Sequence, residues 1–271
     1  MDAGQDIPPA RPATAARIYD YLLGGVHNFE ADRDVAQKVI AGMPNVREAA
    51  RANRAFLGRA VRFLSAQGID QFIDIGSGIP TQGNVHEITA EARPEATVVY
   101  VDIDPLAVAE SLDVLAGNDR ATAVRGDMRD PEPILANPEL RRLIDLDRPV
   151  ALLLAAVLHF VADDDAAYGA VERFRDALAP GSYLLISHGA TESAPTAEAR
   201  PSMDQAYDRQ TMTGAAKPRD RAEVERFFAG WELVEPGIVW LNQWRPDAEG
   251  TDESAADQTM SIGWAGVARK P

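Results

Sequence analysis

Phe72-Ile73-Asp74-Ile75-Gly76-Ser77-Gly78 is a short apolar run that ends in a turn with two glycines. A candidate helix follows it, the pattern by which an α/β protein ends its first parallel strand where a nucleotide-like ligand must come close to the backbone. Glycine permits positive φ and has no Cβ, so Gly76 and Gly78 leave room for such a ligand. Asp74 lies inside the apolar run and needs a partner, because an unpaired buried charge is costly. Backbone donors or a polar residue of the preface, such as Arg17 or Tyr21, are the expected partners. Taken alone the stretch is also compatible with an ordinary tight turn. Pro80 or Thr81 stands where a third glycine of the dinucleotide fingerprint would fall, which counts against pyrophosphate binding at a helix N-terminus.

Outward from this stretch the chain alternates. Strands are expected at 71–75, 97–101, 121–125, 150–155 and 183–187, with helices at 85–92, 105–116, 131–144 and 163–178 between and after them. The uninterrupted apolar run 150–155 is typical of a strand covered on both faces. A helix at 221–228 precedes two closing strands, 233–240 and 260–268, with no helix between them. This pattern predicts a mostly parallel sheet of seven strands with a C-terminal antiparallel hairpin.

Upstream the chain reads as a helical preface: helices over 15–23, 32–41 and 46–67, the last with a buried stripe of Ala49, Ala52, Ala55, Phe56, Ala60, Phe63 and Leu64. Arg47, Arg51, Arg54, Arg59 and Arg62 read as its solvated face. Residues 1–13 read as a disordered tail without the features of a signal peptide. The expected organisation is therefore this tail, a helical cap over 14–68, and a ligand-binding domain over 69–271 with a lid-like insertion around 190–220. In the lid, Met203, Tyr207 and Met212 form either an apolar cover or an ordinary helix face.

The chain of 271 residues carries a net charge of −15 and no cysteine. Disulfides, thiolate metal sites and a cysteine nucleophile are excluded. Such an acidic chain repels a phosphate backbone, so nucleic acid is not expected as a partner. No apolar run approaches the roughly 20 residues that span a bilayer, so no membrane partner is expected either. A cytoplasmic location is expected. His27, His86 and His188 are too scattered to form a metal site, and no metal is expected.

Ligands of a parallel sheet bind beyond the carboxyl ends of its strands. Three ends carry suitable groups in sheet order. Asp74-Gly76-Ser77-Gly78 ends strand one. Asp102 ends strand two, where a carboxylate accepts both hydrogens of a ribose diol. Ile103 beside it offers a flat apolar face for adenine, and Asp104 before Pro105 doubles as a helix cap. Asp127 after strand three is placed to accept from an exocyclic amine, with Met128 next to it. Together they read as a nucleoside site.

With these residues in place, the chain from 70 to 268 resembles the class I methyltransferases, a Rossmann-like fold that uses S-adenosylmethionine. The resemblance implies that Gly76, Ser77 and Gly78 touch the methionine part of the cofactor, that Asp102 holds its ribose, and that Asp127 and Met128 hold its adenine. A sulfonium cation also suits a carboxylate-lined pocket. Arg17-Ile-Tyr-Asp-Tyr-Leu-Leu-Gly-Gly25, Asn28-Phe29, Ala31-Asp32-Arg33, Asp74-Ile-Gly-Ser-Gly-Ile-Pro-Thr81 and Val157-Leu-His-Phe160 resemble one methyltransferase family of high-GC Gram-positive bacteria. In that family Pro80-Thr81 normally replaces the third glycine.

The resemblance implies methyl transfer, an in-line displacement in which the protein aligns the acceptor and excludes water. His159, following strand four at the cofactor's reactive end, is the leading candidate for a general base, with a structural histidine as the alternative. Tyr21 is the second catalytic candidate, and Asn28 and Ala155 are further candidates for the cofactor wall. The expected acceptor is a small molecule. Two other readings stay open: a protein that binds S-adenosylmethionine or S-adenosylhomocysteine without turnover, and a nicotinamide-dependent oxidoreductase, which Pro80 and the closing hairpin disfavour.

Overall fold

The computed structural model describes residues 12–80, 83–193, 216–247 and 263–271. Among them one sheet of eight strands runs in the order β3-β2-β1-β4-β5-β8-β6, with β7 also paired to β8. The parallel part consists of β1 (Gln71–Ile75), β2 (Thr97–Asp102), β3 (Ala121–Arg125), β4 (Ala151–Ala155) and β5 (Tyr183–Gly189). β8 (Gly263–Arg269) runs antiparallel beside β5. The strand expected over 233–240 is interrupted around Pro236-Gly237 into β6 (Glu232–Leu233) and β7 (Val239–Trp240), both antiparallel to β8. That interruption turns the expected seven strands into eight. The closing strand β8 thus lies inside the sheet, and its hairpin partners form the edge.

The strand alternation explains the two cores. Ile73, Ile75, Val99, Val101, Leu152 and Leu154 point to one face and pack with Leu140, Phe174 and Val224. These three come from α7 (Pro138–Leu143), α8 (Asp164–Ala177) and α9 (Arg221–Arg226). Phe72, Val98, Tyr100, Ala151 and Leu153 point to the other face, beneath Phe56, Leu57, Val61 and Leu64. These belong to α3 (Val46–Ala66). Asp74, two residues after Phe72, falls on that second face and so under α3. Ala151–Leu154 is fully buried, as a strand covered on both sides must be.

The remaining parallel-sheet helices are α4 (Val85–Ala92), α5 (Pro105–Val114) and α6 (Pro131–Leu135). α5 starts on Pro105 with Asp104 as its cap, which accepts from Leu106 N–H at 2.9 Å.

The preface folds as α1 (Ala15–Leu23), α2 (Glu30–Gly42) and α3. α1 is capped by Thr14 and stopped by Gly24 at φ 87°, a conformation that favours glycine. Ile18, Leu22, Val35, Ala36, Val39 and Ala50 form a separate small core. The stripe of α3 is rotated from its expected position: Ala55 is exposed, whereas Asn53 and Arg59 are buried. Arg59 is therefore not part of a solvated face. Its guanidinium donates to the carbonyls of Trp244 at 3.0 Å and Leu241 at 2.6 Å. α3 packs on the sheet on one side and contacts α1 and α2 on the other, which is why its burial exceeds a single stripe.

Ala13 at the end of the expected tail is buried, and residues 1–11 lie outside the described residues. So do Thr81 and Met203, Tyr207 and Met212 of the expected lid.

Candidate functional site

A cavity of about 460 Å³ runs along the carboxyl ends of the strands, roofed by the preface. That volume is in the range of small-molecule sites, roughly 300–1,000 Å³. Asp74, Gly76, Ser77, Gly78, Asp102, Ile103, Asp104, Asp127, Met128, Ala155 and His159 all line it. Tyr21 and Asn28 are not among its lining residues.

The turn after β1 is held by the end of β2. Gly76 and Ser77 N–H donate to the Val101 carbonyl at 2.7 and 3.2 Å. Gly78 N–H donates to Asp102 Oδ2 at 2.8 Å. All three donors of the turn are thus engaged within the protein, and a pyrophosphate would find none of them available. Gly76 has φ 69°, and a Cβ there would stand 2.3 Å from Val157 Cγ2, so no other residue fits.

Asp102 is buried, and its second oxygen accepts from Asp104 N–H at 2.8 Å. Burial pushes its carboxyl upward, opposed by these backbone donors. A carboxylate offers about four acceptor sites, so the three backbone donors Gly78, Asp104 and Ile103 leave room for a ligand hydroxyl. Ile103 beside it is 41% exposed on the cavity wall, an apolar side chain left open to a flat partner. Arg129 clamps Asp127, with Nε 2.9 and 3.0 Å from its two oxygens, and holds its carboxyl below the usual range. Met128 is buried beneath this end. A carboxylate, an apolar face and a second carboxylate thus lie along one wall of the cavity.

Asp74 meets a polar residue of the preface, though neither of the two expected for it. Arg17 and Tyr21 are engaged elsewhere, and the cation acting on Asp74 is Arg54 of α3, which lines the same cavity. Burial pushes the Asp74 carboxyl up to about 7, against Arg54, with Asp102 adding to the rise. Between its ordinary value of 3.8 and about 7 the folded protein keeps a proton that the unfolded chain has released. Stability therefore falls as pH rises through that window and levels off above it. Asp74→Asn is expected to remove this fall, so that its advantage over the wild type grows by up to about 1.4 kcal/mol per pH unit across the window. Urea unfolding from pH 4.5 to 8 measures it, and parallel stability curves for the two proteins would overturn it.

The polar preface motif proves to be a scaffold that reaches the site. Asp32, wholly buried, accepts from Arg17 Nε at 2.8 Å, Thr14 N–H at 3.1 Å and Phe29 N–H at 2.8 Å. Arg17 also donates to Asp104 Oδ2 at 3.2 Å, and Thr14 Oγ1 donates to the same oxygen at 2.8 Å. Asp104 thereby joins α1 to the end of β2. Asn28 braces the loop after α1, donating to Asp20 Oδ2 and the Gly25 carbonyl, both at 2.9 Å. Tyr21 Oη accepts from Gln37 at 2.6 Å, and its ring lies 5.0 Å from the Arg47 guanidinium.

Past β1, the wall changes character. Ser187 Oγ, at the end of β5, donates to Asn53 Oδ1 at 2.5 Å and accepts from Ala156 N–H at 2.9 Å. Asn53 Nδ2 donates to Tyr19 Oη at 2.9 Å, and Tyr19 donates to the Ala50 carbonyl at 3.0 Å. This chain of bonds ties the cap to β5. It also anchors Ala156, whose φ of 56° is uncommon for a residue with a Cβ.

His159 lies on a short 3-10 turn, Leu158–Phe160, beyond β4. Its Nδ1 is buried without a hydrogen-bond partner. Burial, then the charge of Arg219, lowers its pKa to about 4, so the ring is neutral at pH 7. Arg219 is wholly buried and fixes this region. It donates to Asp164 Oδ1 at 2.8 Å, to the carbonyls of Leu158 and Val161 at 3.3 and 2.9 Å, and lies 3.0 Å from His188 Nε2. Since Arg219 can only donate, His188 Nε2 accepts, and the His188 proton sits on Nδ1, 2.9 Å from the Gly189 carbonyl. His188 is held neutral as well, well below its ordinary value, by burial first.

Arg54, Asn53, Ser187, His188 and Arg219 were not singled out from sequence as site residues. A buried arginine in a segment rich in Ala, Thr, Pro and Ser carries no local signal.

The family model described as S-adenosyl methyltransferase matches residues 2–271. The chain is 40% identical to a presumed methyltransferase from Thermobifida fusca YX, whose crystal structure superposes with a TM-score of 0.86 over 98% of this chain and 99% of that one. It is 42% identical to a DUF574 family protein from Streptomyces avermitilis MA-4680, with a TM-score of 0.87 over 96% and 98%. The N-methyltransferase NodS from Bradyrhizobium japonicum WM9, solved with S-adenosylhomocysteine, shares the fold at 13% identity, with a TM-score of 0.50 over 94% and 99%. No curated protein matches the chain.

Proposed function

This chain belongs to the S-adenosyl methyltransferase family, whose cofactor is S-adenosylmethionine, and we propose that it transfers a methyl group to a small-molecule acceptor. The observation that carries the proposal is one cavity holding a nucleoside-type wall at the β1, β2 and β3 ends and continuing past β4 beneath the cap. The continuation supports turnover over mere cofactor sensing, which needs no space beyond the ligand.

The residues at the strand ends fit the cofactor. Asp102 would accept from the ribose hydroxyls, Ile103 and Met128 would pack on the adenine, and Asp127 would accept from its amine. Asp74, Ser77 and Gly78 would border the methionine part, with Arg54 near its charged groups. S-adenosylmethionine supplies a methyl group activated by a positive sulfur. The engaged N–H groups of the turn favour this ligand over NAD. The protein's own contribution is to orient the acceptor and keep water out, the work of the cap over residues 14–68 on the domain formed by 69–271. A cytoplasmic location belongs to the same proposal.

His159 is the proposed base. A neutral imidazole is ready to accept a proton at pH 7, and a weak base suffices when an oxygen that is gaining a methyl group releases its proton late. His159→Ala is expected to bind S-adenosylhomocysteine as the wild type does while losing about 10²–10⁴ in turnover. Calorimetry and the release of S-adenosylhomocysteine across an acceptor panel measure the two effects, and undiminished turnover removes His159 from the chemistry. The methyltransferase reading itself is tested by titrating the protein with S-adenosylhomocysteine and with NAD. Tight NAD binding with no response to S-adenosylhomocysteine would overturn it.

A further inference from the structure

The cavity has two chemically distinct ends. The sheet order sets their places: the carboxylates Asp102 and Asp127 stand at β2 and β3, while β4, β5 and β8 lie on the far side of β1. On that far side the roof and wall are Leu22, Val39, Met43, Val46, Leu57 and Phe160. Phe160 follows β4 and, like Val46, packs against the cap core that contains Leu22 and Val39, which places these side chains beside the β4 end.

The polar groups at this end are neutral and mostly engaged with one another. Tyr19, Asn53 and Ser187 satisfy each other in one hydrogen-bonded chain. Burial raises the Tyr19 phenol above its ordinary value, so it stays protonated and donates to Ala50. His159 and His188 are neutral, and the wholly buried Arg219, which shares Asp164 with Lys217, is not among the lining residues of the cavity. Arg54 also lines the cavity and acts on Tyr19, but with the cofactor bound it would face the methionine carboxylate and Asp74. Among the described residues lining this end, a carboxylate or an ammonium group entering beneath the cap would then meet no unmatched opposite charge, and its desolvation would go uncompensated.

We propose that the space beneath the cap receives a neutral alcohol or phenol with an apolar body, its hydroxyl directed to His159. The proposal rests on the methyltransferase reading. The apolar body displaces water from the aliphatic roof, which is where its binding free energy arises. The hydroxyl oxygen forms the new O–CH3 bond as the S–CH3 bond breaks, and the electron pair of that bond remains on sulfur as a neutral thioether. The hydroxyl proton passes to the His159 imidazole. An aliphatic amine is disfavoured because it enters as an ammonium ion, with no lone pair and no counter-charge.

Calorimetry on the full chain saturated with S-adenosylhomocysteine tests this with three probes of one shape: 2-naphthol, 2-naphthoate and 2-naphthylmethylammonium. The naphthol is expected to bind at least ten times more tightly than either charged probe. Val46→Trp, which fills the roof, is expected to weaken the naphthol at least tenfold while leaving S-adenosylhomocysteine affinity within twofold. Ala49→Leu serves the same purpose with a smaller intrusion should the tryptophan variant not fold. A charged probe that binds as well as the naphthol, a naphthol that does not bind, or one indifferent to the filling variants overturns the proposal. If S-adenosylhomocysteine itself fails to bind in the first titration, the methyltransferase reading fails. If it binds and the three probes are not distinguished, only the acceptor class fails.

Discussion

Replacing Arg17 with methionine is expected to destabilise the protein by about 3–5 kcal/mol, the usual cost of removing one partner from a buried ion pair. Arg17 stands between two carboxylates, and its side chain is 5% exposed, against 0% for Asp32 and 7% for Asp104. Methionine of similar length restores much of the packing but leaves both acids without their cation. Asp32 retains two backbone donors, from Thr14 and Phe29, which limit the damage there. Asp104 retains Thr14 Oγ1 and Leu106 N–H. The effect should reach the proposed cofactor wall, because Asp104 N–H is one of the three backbone donors that act on Asp102. Urea unfolding at pH 7 measures the stability, and calorimetry with S-adenosylhomocysteine measures the coupling. Adding Asp32→Asn to Arg17→Met should recover part of the loss, since it removes one of the two stranded charges. A loss below about 1 kcal/mol would mean that the triad is not a net stabiliser.

Asp102→Ala is expected to weaken S-adenosylmethionine binding by about 1.5–3 kcal/mol, the worth of hydrogen bonds to a charged group, or about tenfold to a hundredfold in Kd. Two losses combine in this figure. The ribose acceptor disappears, and Gly78 N–H and Asp104 N–H lose the carboxylate that holds their turns together. Asp102→Asn separates them, because its amide keeps one acceptor oxygen and converts the other to a donor that opposes a backbone N–H. Calorimetry with both variants reads the two contributions. An unchanged affinity in a folded Asp102→Ala protein would remove this residue from the site.

The motif Arg17 to Arg33 shows how a sequence signal can be strong and still mislead about its role. Its density of polar residues suggests a lid that touches the cofactor. In the structure most of these groups bond to one another: Asp20 to Asn28, Asn28 to Arg33, and Asp32 to Arg17. Arg17 crosses over to the end of β2 through Asp104, and His27 lies 3.8 Å from Glu110 of α5. Tyr21 and Asn28 face this internal scaffold, while Tyr19, two residues before Tyr21, points to the cavity and joins Asn53. Helical periodicity separates these faces only once the axis of α1 is known. The arginines of α3 teach the same lesson. Arg51 and Arg62 are exposed, Arg59 is buried under the chain that follows β7, and Arg54 lines the cavity with Asp74.

By itself the sequence determined the parallel sheet, because apolar strands alternating with helices have few other ways to bury both faces. It also pointed to Asp74, Gly76, Ser77, Gly78, Asp102, Ile103, Asp127 and Met128, which line one cavity in the structure, because a strand end and the turn after it are local features. Asp104 was legible as a helix cap for the same reason. Only the tertiary structure decided which cation meets which acid. Arg17 lies 87 positions from Asp104, and Ser187 lies 134 from Asn53. No periodicity links such pairs; they form because α1 and α3 cross the carboxyl ends of β2, β4 and β5. The same crossing made Asp74 to Gly78 one wall of a cavity that Arg54 also lines, with an apolar roof beyond it.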